Sequence, residues 1–404
     1  MIKQEKGLVN YFEKFLKREP LFENKKVLQS DYTPEAIEHR EEQLNQIAEI
    51  LAPCLRLEKP SNLFLYGKTG TGKTVSVRFT IEKIKEVASK QEIPINVVYV
   101  NCKLKKIADT EYRVIAELIR NMGGEVPSTG LPTEEVYKNF FNIIDSKKQL
   151  LILILDEIDQ LVEKAGDEVL YSLTRINSDL KNAQVSLIGI SNNLVFANNL
   201  DPRIKSSLSE EELVFPPYNA MQLKDILTSR SKIAFKEDVV SEGVVGKCAA
   251  YAAREHGDAR RALELLRVSG EIAERKGSKK IDIEHIDEAE SKIEKDRVID
   301  SVEFQPKQFH AVLYATFSIY GKRKDTIHTG EVYDVYRAVC LQTNLRPLTQ
   351  RRVSDIIGEL DMLGIINAKT ISKGRYGRTR EITVSIPDNI KEKIDNILKH
   401  KLDL

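Results

Sequence analysis

The chain has 404 residues, of which 41% are hydrophobic and 30% are charged, and its net charge is +1. This length exceeds what one compact core usually organises, so the sequence predicts two or three domains of an ordinary soluble protein. Apolar runs stay below the roughly 20 residues needed to cross a bilayer, and the N-terminus has no signal-peptide core. We therefore expect no membrane partner and a location in the cytoplasm, associated with the nucleoid. Four scattered cysteines and six scattered histidines predict neither a disulfide framework nor a zinc site.

The first chemical motif lies in NLFLYGKTGTGKTVSVRF, residues 62–79, which predicts a strand, a glycine-rich loop and a helix. The loop fits the phosphate-binding pattern G-x-x-x-x-G-K-T, the Walker A motif, from Gly67 to Thr74. Glycines allow successive backbone N–H groups to point at phosphates, and the helix N-terminus adds a partial positive charge. The alternative is an ordinary glycine-rich turn, which the flanking strand and helix disfavour.

This motif predicts that ATP or ADP binds together with Mg²⁺. Lys73 is expected to reach the β- and γ-phosphates, and Thr74 is expected to ligate the cation. The predicted cofactor-binding residues of the loop are Gly67, Lys68, Thr69, Gly70, Thr71, Gly72, Lys73 and Thr74.

A second motif, LLILILDEID at residues 150–159, predicts a strand that is buried on both faces of a parallel sheet. The strand ends in Asp156 and Glu157 at the carboxyl edge, where open α/β sheets bind their ligands. Asp156 is expected to hold Mg²⁺ through water, and Glu157 is expected to polarise the attacking water. An acidic strand end without a chemical role is the alternative.

Two further apolar runs, residues 95–102 and 184–193, predict strands of the same sheet. The second run ends at Asn192, whose amide could orient the water or sense the γ-phosphate. An asparagine that simply terminates a strand is common in turns, and this interpretation is favoured when Asn192 is considered alone.

Taken together, GKTGTGKT, LDEID, the later Asn192, the stretch PPY and GDARRALELL at residues 257–266 resemble an AAA+ ATPase. Within that class the chain resembles the archaeal replication initiator family, related to origin recognition complex subunit one and cell division control protein six. The resemblance implies an α/β P-loop AAA+ parallel sheet with an all-α lid and a C-terminal winged-helix domain. It assigns residues 1–218 to the N-terminal segment and nucleotide-binding domain, residues 219–298 to the lid, and residues 299–404 to the winged-helix domain.

The resemblance also assigns residues around the nucleotide. Asn192 resembles sensor one and Arg260 resembles sensor two, which joins Glu157 and Asn192 in the predicted catalytic set. Tyr218 and Arg230 match lid positions that line the nucleotide. A segment near the N-terminus is expected to cover adenine, although its histidine and arginine could equally belong to a solvated helix face; its residues are Tyr32, Pro34, His39 and Arg40.

Two other segments carry expectations that depend on the resemblance. LDPRIKSSL, residues 200–208, resembles the segment with an arginine finger in ring-forming relatives. Ser207 and Leu208 stand where some relatives have another arginine, so Arg203 is the candidate finger, with a structural role as the alternative. Between the second and third predicted strands, two helices flank a turn-rich tip at residues 121–131. This element touches DNA in initiators, and a plain surface hairpin is the alternative.

The last domain is predicted as three helices followed by two strands. Its third helix begins after Pro347 with Thr349 as the N-cap and ends at Gly364. One face carries regularly spaced apolar residues, so the opposite polar face suits a recognition helix in a DNA major groove. The predicted DNA-binding residues of this helix are Gln350, Arg351, Arg352 and Ser354.

The loop SKGRYGRTRE, residues 372–381, lies between the two predicted strands and is expected to form the wing. From Ser301 onward, 17 Lys and Arg outnumber 12 Asp and Glu, which indicates a face that meets a polyanion. Arginines in a narrow minor groove are favoured by its negative potential. The wing residues predicted to bind DNA are Lys373, Arg375, Tyr376 and Arg378, and a solvated basic hairpin is the alternative.

The function implied by the resemblance is an ATP-dependent replication initiator that binds duplex DNA at origins. It would help to recruit or load the replicative helicase, alone or with paralogous initiators, with ATP binding and slow hydrolysis as a switch. A complete pair of Walker motifs is compatible with fast or slow turnover, so the ATPase rate stays open. A nucleotide-switched transcription regulator and a clamp-loader-like AAA+ motor subunit are the alternatives.

Overall fold

The computed structural model describes most of the chain, namely residues 16, 18–30, 32–103, 110–127, 130–196, 200–208, 210–323, 325–372, 378–386 and 388–404. The chain divides into two compact units, Met1–Ile286 and Asp287–Leu404, each with its own hydrophobic core. The boundary falls inside one helix, Ile283–Glu303. Among the described residues, no helix combines the length and the apolar character needed to cross a membrane.

The first unit is built on a five-stranded parallel sheet. Its strands, in the spatial order β2-β3-β4-β1-β5, are β1 Leu63–Tyr66, β2 Ile95–Asn101, β3 Gln149–Asp156, β4 Ala183–Ser191 and β5 Glu211–Val214. Every residue of β3 is buried, as its unbroken apolar sequence predicts. Because the strands are parallel, the segments that follow β1, β3 and β4 meet at one edge of the sheet. The four predicted strands are confirmed, and β5 is an additional one.

Helices cover both faces of this sheet. One core joins the sheet to α1 and α2, and a second core joins its other face to α3 through α7. These helices are α1 Glu41–Leu51, α2 Lys73–Lys90, α3 Glu111–Asn121, α4 Thr133–Ile144, α5 Ile158–Ala165, α6 Glu168–Arg175 and α7 Pro202–Leu208.

The two helices predicted between the second and third strands are present as α3 and α4. Val114, Leu118 and Phe140 on their inner faces are completely buried in the core beside the sheet. The Tyr137 hydroxyl on α4 also donates a hydrogen bond to Glu111 Oε1 on α3 at 2.6 Å. The described part of this pair is therefore a packed core element, and residues 128–129 of the predicted tip lie outside the described residues.

The predicted helical lid is confirmed by α8 Ala220–Ala234, α9 Val244–Arg254, α10 Ala259–Lys276 and α11 Ile283–Glu303. An Asn219 capping box begins α8, and the Asp258 carboxylate caps α10. Part of the N-terminal segment packs on these helices. Leu21 donates its backbone N–H to Glu274 Oε1 at 2.9 Å, and Glu23 donates its N–H to the Ala234 carbonyl at 2.9 Å.

The second unit combines helices with a small antiparallel sheet of order β6-β8-β7. The predicted helices and strands are confirmed, whereas β6 and α15 are additional. On α14, Val353, Ile356, Ile357 and Leu360 are buried, as the spacing predicts. The elements are α12 Lys307–Arg323, β6 Ile327–His328, α13 Thr329–Gln342, α14 Gln350–Met362, β7 Ile366–Ser372, β8 Arg378–Val384 and α15 Asp388–Leu402.

Candidate functional site

The phosphate-loop sequence forms a tight turn between β1 and α2. Gly70 and Gly72 have φ angles of 72° and 94°, in the left-handed region that favours glycine. A Cβ atom on Gly70 would lie 1.7 Å from Asp258 Oδ1, and one on Gly72 would lie 2.8 Å from the Tyr218 hydroxyl oxygen. Both glycines are therefore required by their backbone angles and by the close approach of Tyr218, just before the lid, and of Asp258, the N-cap of α10.

Lys73 is held inside this loop. Its Nζ donates hydrogen bonds to the carbonyl oxygens of Gly67 at 2.7 Å and Lys68 at 2.8 Å. Burial lowers the pKa of Lys73 to about 8, because the loss of solvent around the ammonium outweighs the attraction of the nearby carboxylates, Asp156 first among them. An anionic group beside Lys73 would restore the stability of the charged form, which is what a nucleotide phosphate supplies.

Thr74 and Asp156 meet at the carboxyl edge of the sheet. Thr74 Oγ1 donates to Asp156 Oδ2 at 2.9 Å, and the backbone N–H of Glu157 donates to Asp156 Oδ1 at 3.0 Å. Because the threonine hydroxyl donates a hydrogen bond to the carboxylate, its oxygen lone pairs remain free to ligate a cation. The two residues predicted to hold Mg²⁺ are therefore in direct contact.

Tyr99 on β2 is a third partner of this carboxylate, and the sequence analysis missed it. Its hydroxyl donates to Asp156 Oδ2 at 2.6 Å. Burial, together with this hydrogen bond, raises the pKa of Tyr99 to about 12, so the hydroxyl remains a donor at neutral pH. The only signal in the sequence was a hydroxyl-bearing side chain near the end of an otherwise apolar strand.

Glu157 follows in an unusual backbone conformation. It has φ 56° and ψ 47°, in the left-handed region, and it occupies the N-cap position of α5. Non-glycine residues in this region cost of order 1 kcal/mol or more and cluster at functional sites. Lys103 Nζ lies 3.5 Å from Glu157 Oε2. Glu157 lines the same cavity as Asn192 and Arg260, so the three predicted catalytic residues face one space.

That cavity has a volume of about 600 Å³, which is the size of a small-molecule site. Its walls come from the N-terminal segment, the phosphate loop, the acidic strand end and the lid. Of the predicted cofactor-binding residues, Gly70 through Thr74 line it together with Tyr218 and Arg230. Gly67, Lys68 and Thr69 belong to the beginning of the loop and are not part of the cavity wall.

One end of the cavity is closed by Tyr32, Pro34 and Arg230, with Ile226 and Ile233 beside them. The Arg230 guanidinium carbon lies 4.7 Å from the centre of the Tyr32 ring. Arg230 Nη1 is buried without a hydrogen-bond partner in the described part of the chain. Buried polar atoms are normally hydrogen-bonded, so this unpaired donor indicates a place for a polar ligand.

Arg40 does not belong to a solvated helix face, which was one of its two alternatives, because it is only 2% exposed. It is not among the residues that line the cavity. Its guanidinium donates to the carbonyls of Thr71 at 2.9 Å and Pro216 at 2.6 Å, and lies 3.7 Å above the Tyr218 ring. His39, which is also outside the cavity wall, contacts Asp225 Oδ2 at 3.0 Å.

These features together fit a nucleotide with a divalent cation. The glycine turn and the N-terminus of α2 offer N–H groups, Lys73 and Arg260 offer positive charge, and Thr74 with Asp156 offers the hard oxygen ligands that Mg²⁺ prefers. The tyrosine and apolar side chains at the other end suit a flat aromatic base.

The candidate arginine finger is anchored locally. Arg203 Nη2 lies 2.9 Å from Asp201 Oδ2, and its guanidinium carbon lies 5.6 Å from the centre of the Tyr171 ring. Its side chain is nevertheless 69% exposed. The arrangement supports the structural alternative and leaves the guanidinium accessible from solvent.

The second unit presents the predicted recognition helix. Thr349 caps α14 by accepting a hydrogen bond from the Arg352 backbone N–H. Gln350, Arg351 and Arg352 are exposed, and Ser354 is half-buried. Arg352 Nη1 lies 3.7 Å from Glu359 Oε1 and makes a second, longer ion pair on the same helix. The predicted outward polar face is therefore present.

Most of the predicted wing tip lies outside the described residues. Lys373, Arg375 and Tyr376 lie outside the described residues, and Arg378 is described only as the first backbone position of β8. The antiparallel pairing of β7 with β8 runs from Ile366 opposite Val384 to Ser372 opposite Arg378. The two strands that flank the predicted wing are therefore paired as antiparallel neighbours.

Three family models match successive parts of the chain. An AAA domain matches residues 56–195, a Cdc6 AAA+ ATPase-type lid domain matches 224–291, and a CDC6 C-terminal winged helix domain matches 300–393. An ORC1-type DNA replication protein of Thermococcus onnurineus is 52% identical over 397 residues, with 97% of this chain and 94% of the relative covered. The corresponding Pyrococcus furiosus protein is 54% identical, with 96% and 92% covered. The chain belongs to the ORC1-type DNA replication protein family.

Solved structures agree with the fold. The Aeropyrum pernix ORC1 protein in complex with DNA is 44% identical, has a TM-score of 0.84, and covers 94% of this chain and 97% of its own. Cdc6p from Pyrobaculum aerophilum is 22% identical with a TM-score of 0.60, covering 95% and 99%, and shares the fold. The predicted AAA+ sheet, helical lid and C-terminal winged helix of an ORC1-type protein are thereby confirmed.

Proposed function

We propose that the chain is a nucleotide-controlled initiator of DNA replication, which binds duplex DNA through its winged-helix unit. The observation that carries this proposal is the 44% identity, over nearly the whole chain, to an ORC1 protein solved in complex with DNA. The exposed Arg351 and Arg352 on α14 support it, because the opposite face of that helix is buried in the core. Such a helix can enter a major groove without losing its packing.

The first unit would supply the nucleotide control. The loop Gly67–Thr74 with Lys73 binds the phosphates, Tyr218 and Arg230 contact the nucleotide from the lid side, and Asp156 with Thr74 holds the cation. Bound Mg²⁺ supplies charge neutralisation at the phosphates. Glu157 orients and deprotonates the attacking water, while Asn192 and Arg260 hold the water and the terminal phosphate in place.

Slow hydrolysis is part of this proposal. The Glu157 carboxylate lies 3.5 Å from Lys103 Nζ, so this ion pair competes with the attacking water for the carboxylate. Slow turnover would allow the ATP and ADP states to persist as two forms with different affinities for DNA and for other proteins. In this role the chain acts at replication origins, recruits or loads the replicative helicase, and acts alone or beside paralogous initiators.

DNA binding by α14 is tested by the salt dependence of affinity. Arg351→Ala/Arg352→Ala is compared with Lys83→Ala/Lys85→Ala, which removes two exposed charges from α2 in the first unit. The probe is a fluorescent duplex from an origin of the host, and its anisotropy gives Kd at several salt concentrations. Each lost phosphate contact lowers the slope of log K against log salt by about 0.9, so the α14 variant should lose up to roughly 2.

The control should keep the wild-type slope, because its lysines lie outside the winged helix. If the α14 variant and the control both retain the wild-type affinity and slope, α14 does not bind DNA, and this result would contradict the proposed DNA-binding face.

A further inference from the structure

Asp156 is held by an unusually complete set of donors. Its Oδ2 accepts from Thr74 Oγ1 at 2.9 Å and from the Tyr99 hydroxyl at 2.6 Å, while Oδ1 accepts from the Glu157 N–H at 3.0 Å. Thr74 and Glu157 belong to the two motifs recognised in the sequence. Tyr99 belongs to neither motif and comes from a different strand, so its contact requires an explanation of its own.

The register of the sheet explains how Tyr99 reaches Asp156. In the parallel pairing of β2 with β3, Asn101 lies opposite Asp156, and Tyr99 lies two residues earlier. A side chain two residues back on a neighbouring strand is on the same face as Asn101, and the length of tyrosine brings its hydroxyl to the edge. A phenylalanine would fill the same space without contacting the carboxylate.

The ring of Tyr99 is fixed from the other side. The Arg78 guanidinium carbon, on α2, lies 4.5 Å from the ring centre, and Arg78, Tyr99 and Asp156 all line the nucleotide cavity. The hydroxyl is therefore part of the wall of the site and does not belong to a distant core. The hydrogen bond from Tyr99 restricts the rotation of the Asp156 carboxylate. Without it, Thr74 would be the one side-chain donor to this carboxylate among the described contacts.

We propose that Tyr99 is a positioning residue for Mg²⁺ binding, which orients the Asp156 carboxylate toward the cation. This inference rests on the proposed nucleotide site. Partners that hydrogen-bond a metal-ligating carboxylate fix its orientation, and their removal typically lowers metal affinity or activity by roughly 10- to 100-fold. Tyr99 does not touch the nucleotide chemistry itself, and it acts through Asp156.

Tyr99→Phe tests this role in the full chain, because it removes only the hydroxyl and retains the ring beside Arg78. Tyr137→Phe is the matched control, since the Tyr137 hydroxyl donates to a carboxylate, Glu111, at the same distance of 2.6 Å, and both residues lie outside the two motifs and the cavity wall. Calorimetric titration gives the affinity for ADP in EDTA and at increasing concentrations of Mg²⁺.

We expect Tyr99→Phe to bind ADP in EDTA within about twofold of the wild type. It should need about tenfold more Mg²⁺ to reach the midpoint of the Mg²⁺-dependent gain in affinity. Tyr137→Phe should have the wild-type midpoint. Steady-state ATPase assays at saturating ATP should show the same displacement in Mg²⁺ dependence.

Two results would overturn the inference. An unchanged Mg²⁺ midpoint in Tyr99→Phe would mean that the hydroxyl does not position the carboxylate, and an equal loss of ADP affinity with and without Mg²⁺ would assign Tyr99 a general structural role. A wild-type chain that binds neither ADP nor ATP would instead refute the proposed nucleotide site.

Discussion

Arg40 illustrates how one buried cation connects separate segments of the first unit. Its guanidinium contacts the carbonyl of Thr71 in the phosphate loop, the carbonyl of Pro216 before the lid, and the ring of Tyr218. Hydrogen bonds from a charged donor contribute more than neutral ones, and a cation over an aromatic ring adds to them. The shape of the loop next to Gly72 therefore depends on a residue outside the motif.

Replacing this arginine should be costly for stability. We predict that Arg40→Ala lowers the free energy of unfolding by roughly 2–4 kcal/mol, because the buried Thr71 carbonyl and the partly buried Pro216 carbonyl lose their donor and the stacked cation is lost. Urea unfolding of the full chain measures the change. Arg254→Ala is the control, since the Arg254 side chain is exposed and lies 5.4 Å from the Tyr251 ring. Equal, small effects of the two substitutions would contradict the connecting role of Arg40.

Among individual residues, those that belong to a recognisable sequence motif were predictable. The contact of Thr74 with Asp156 follows from two motifs that end strands at the same edge of the sheet. The roles of Tyr99 and Arg40 depend on strand register and on a contact across 176 residues of sequence, between Arg40 and Pro216. Neither spacing nor residue type encodes such contacts, so single-sequence reasoning could not find them.

Among the elements, α12 contains a buried histidine with an unusual environment. His310 is 2% exposed, its Nε2 contacts the Val302 carbonyl at 2.8 Å, and its Nδ1 has no partner in the described part of the chain. A carbonyl accepts, so Nε2 carries the proton and Nδ1 is the site that would be protonated in acid. Burial lowers the pKa of His310, and the positive charge of Lys401 acts in the same direction.

This environment predicts acid sensitivity of the second unit. A histidine whose pKa is lower in the folded than in the unfolded state stabilises the fold above the unfolded pKa, near 6.5, and this stability is lost as pH falls below it. His310→Gln should therefore lose less stability than the wild type between pH 7.5 and 5.5, as measured by calorimetric unfolding. His400→Gln, at an exposed position of α15, is the control and should behave as the wild type. Identical pH dependence in all three proteins would contradict this assignment.

Long, regular elements were predictable and short ones were not. Periodic apolar positions identified α14, and an unbroken apolar run identified β3. In contrast, β5 has four residues, of which two are glutamates, and β6 has only two residues. These strands form because neighbouring strands supply their hydrogen bonds, and no pattern of apolar residues in their own short sequences predicts them.

On the scale of the whole molecule, the two units carry separate candidate sites with different ligands. The cavity of the first unit suits a nucleotide, and the exposed face of α14 in the second unit suits DNA. The net charge of the whole chain, +1, does not reveal this division. The stretch from Arg346 to Arg380 is locally basic, with 8 basic and 3 acidic residues. The domain order was predictable from the motifs, whereas the coupling between the sites is a functional property that requires measurement.

The central claim is that DNA binding at origins belongs to the winged helix and responds to the nucleotide. Nuclease footprinting across candidate origins of the host, with ATP or with ADP, tests it most directly. The wild type is compared with Arg375→Ala/Arg378→Ala and with the control Lys83→Ala/Lys85→Ala. We predict discrete protected repeats at origins that differ in extent between ATP and ADP, that weaken in the wing variant and that persist in the control. Protection restricted to promoters, or no protection at low salt by any of the proteins, would contradict the account.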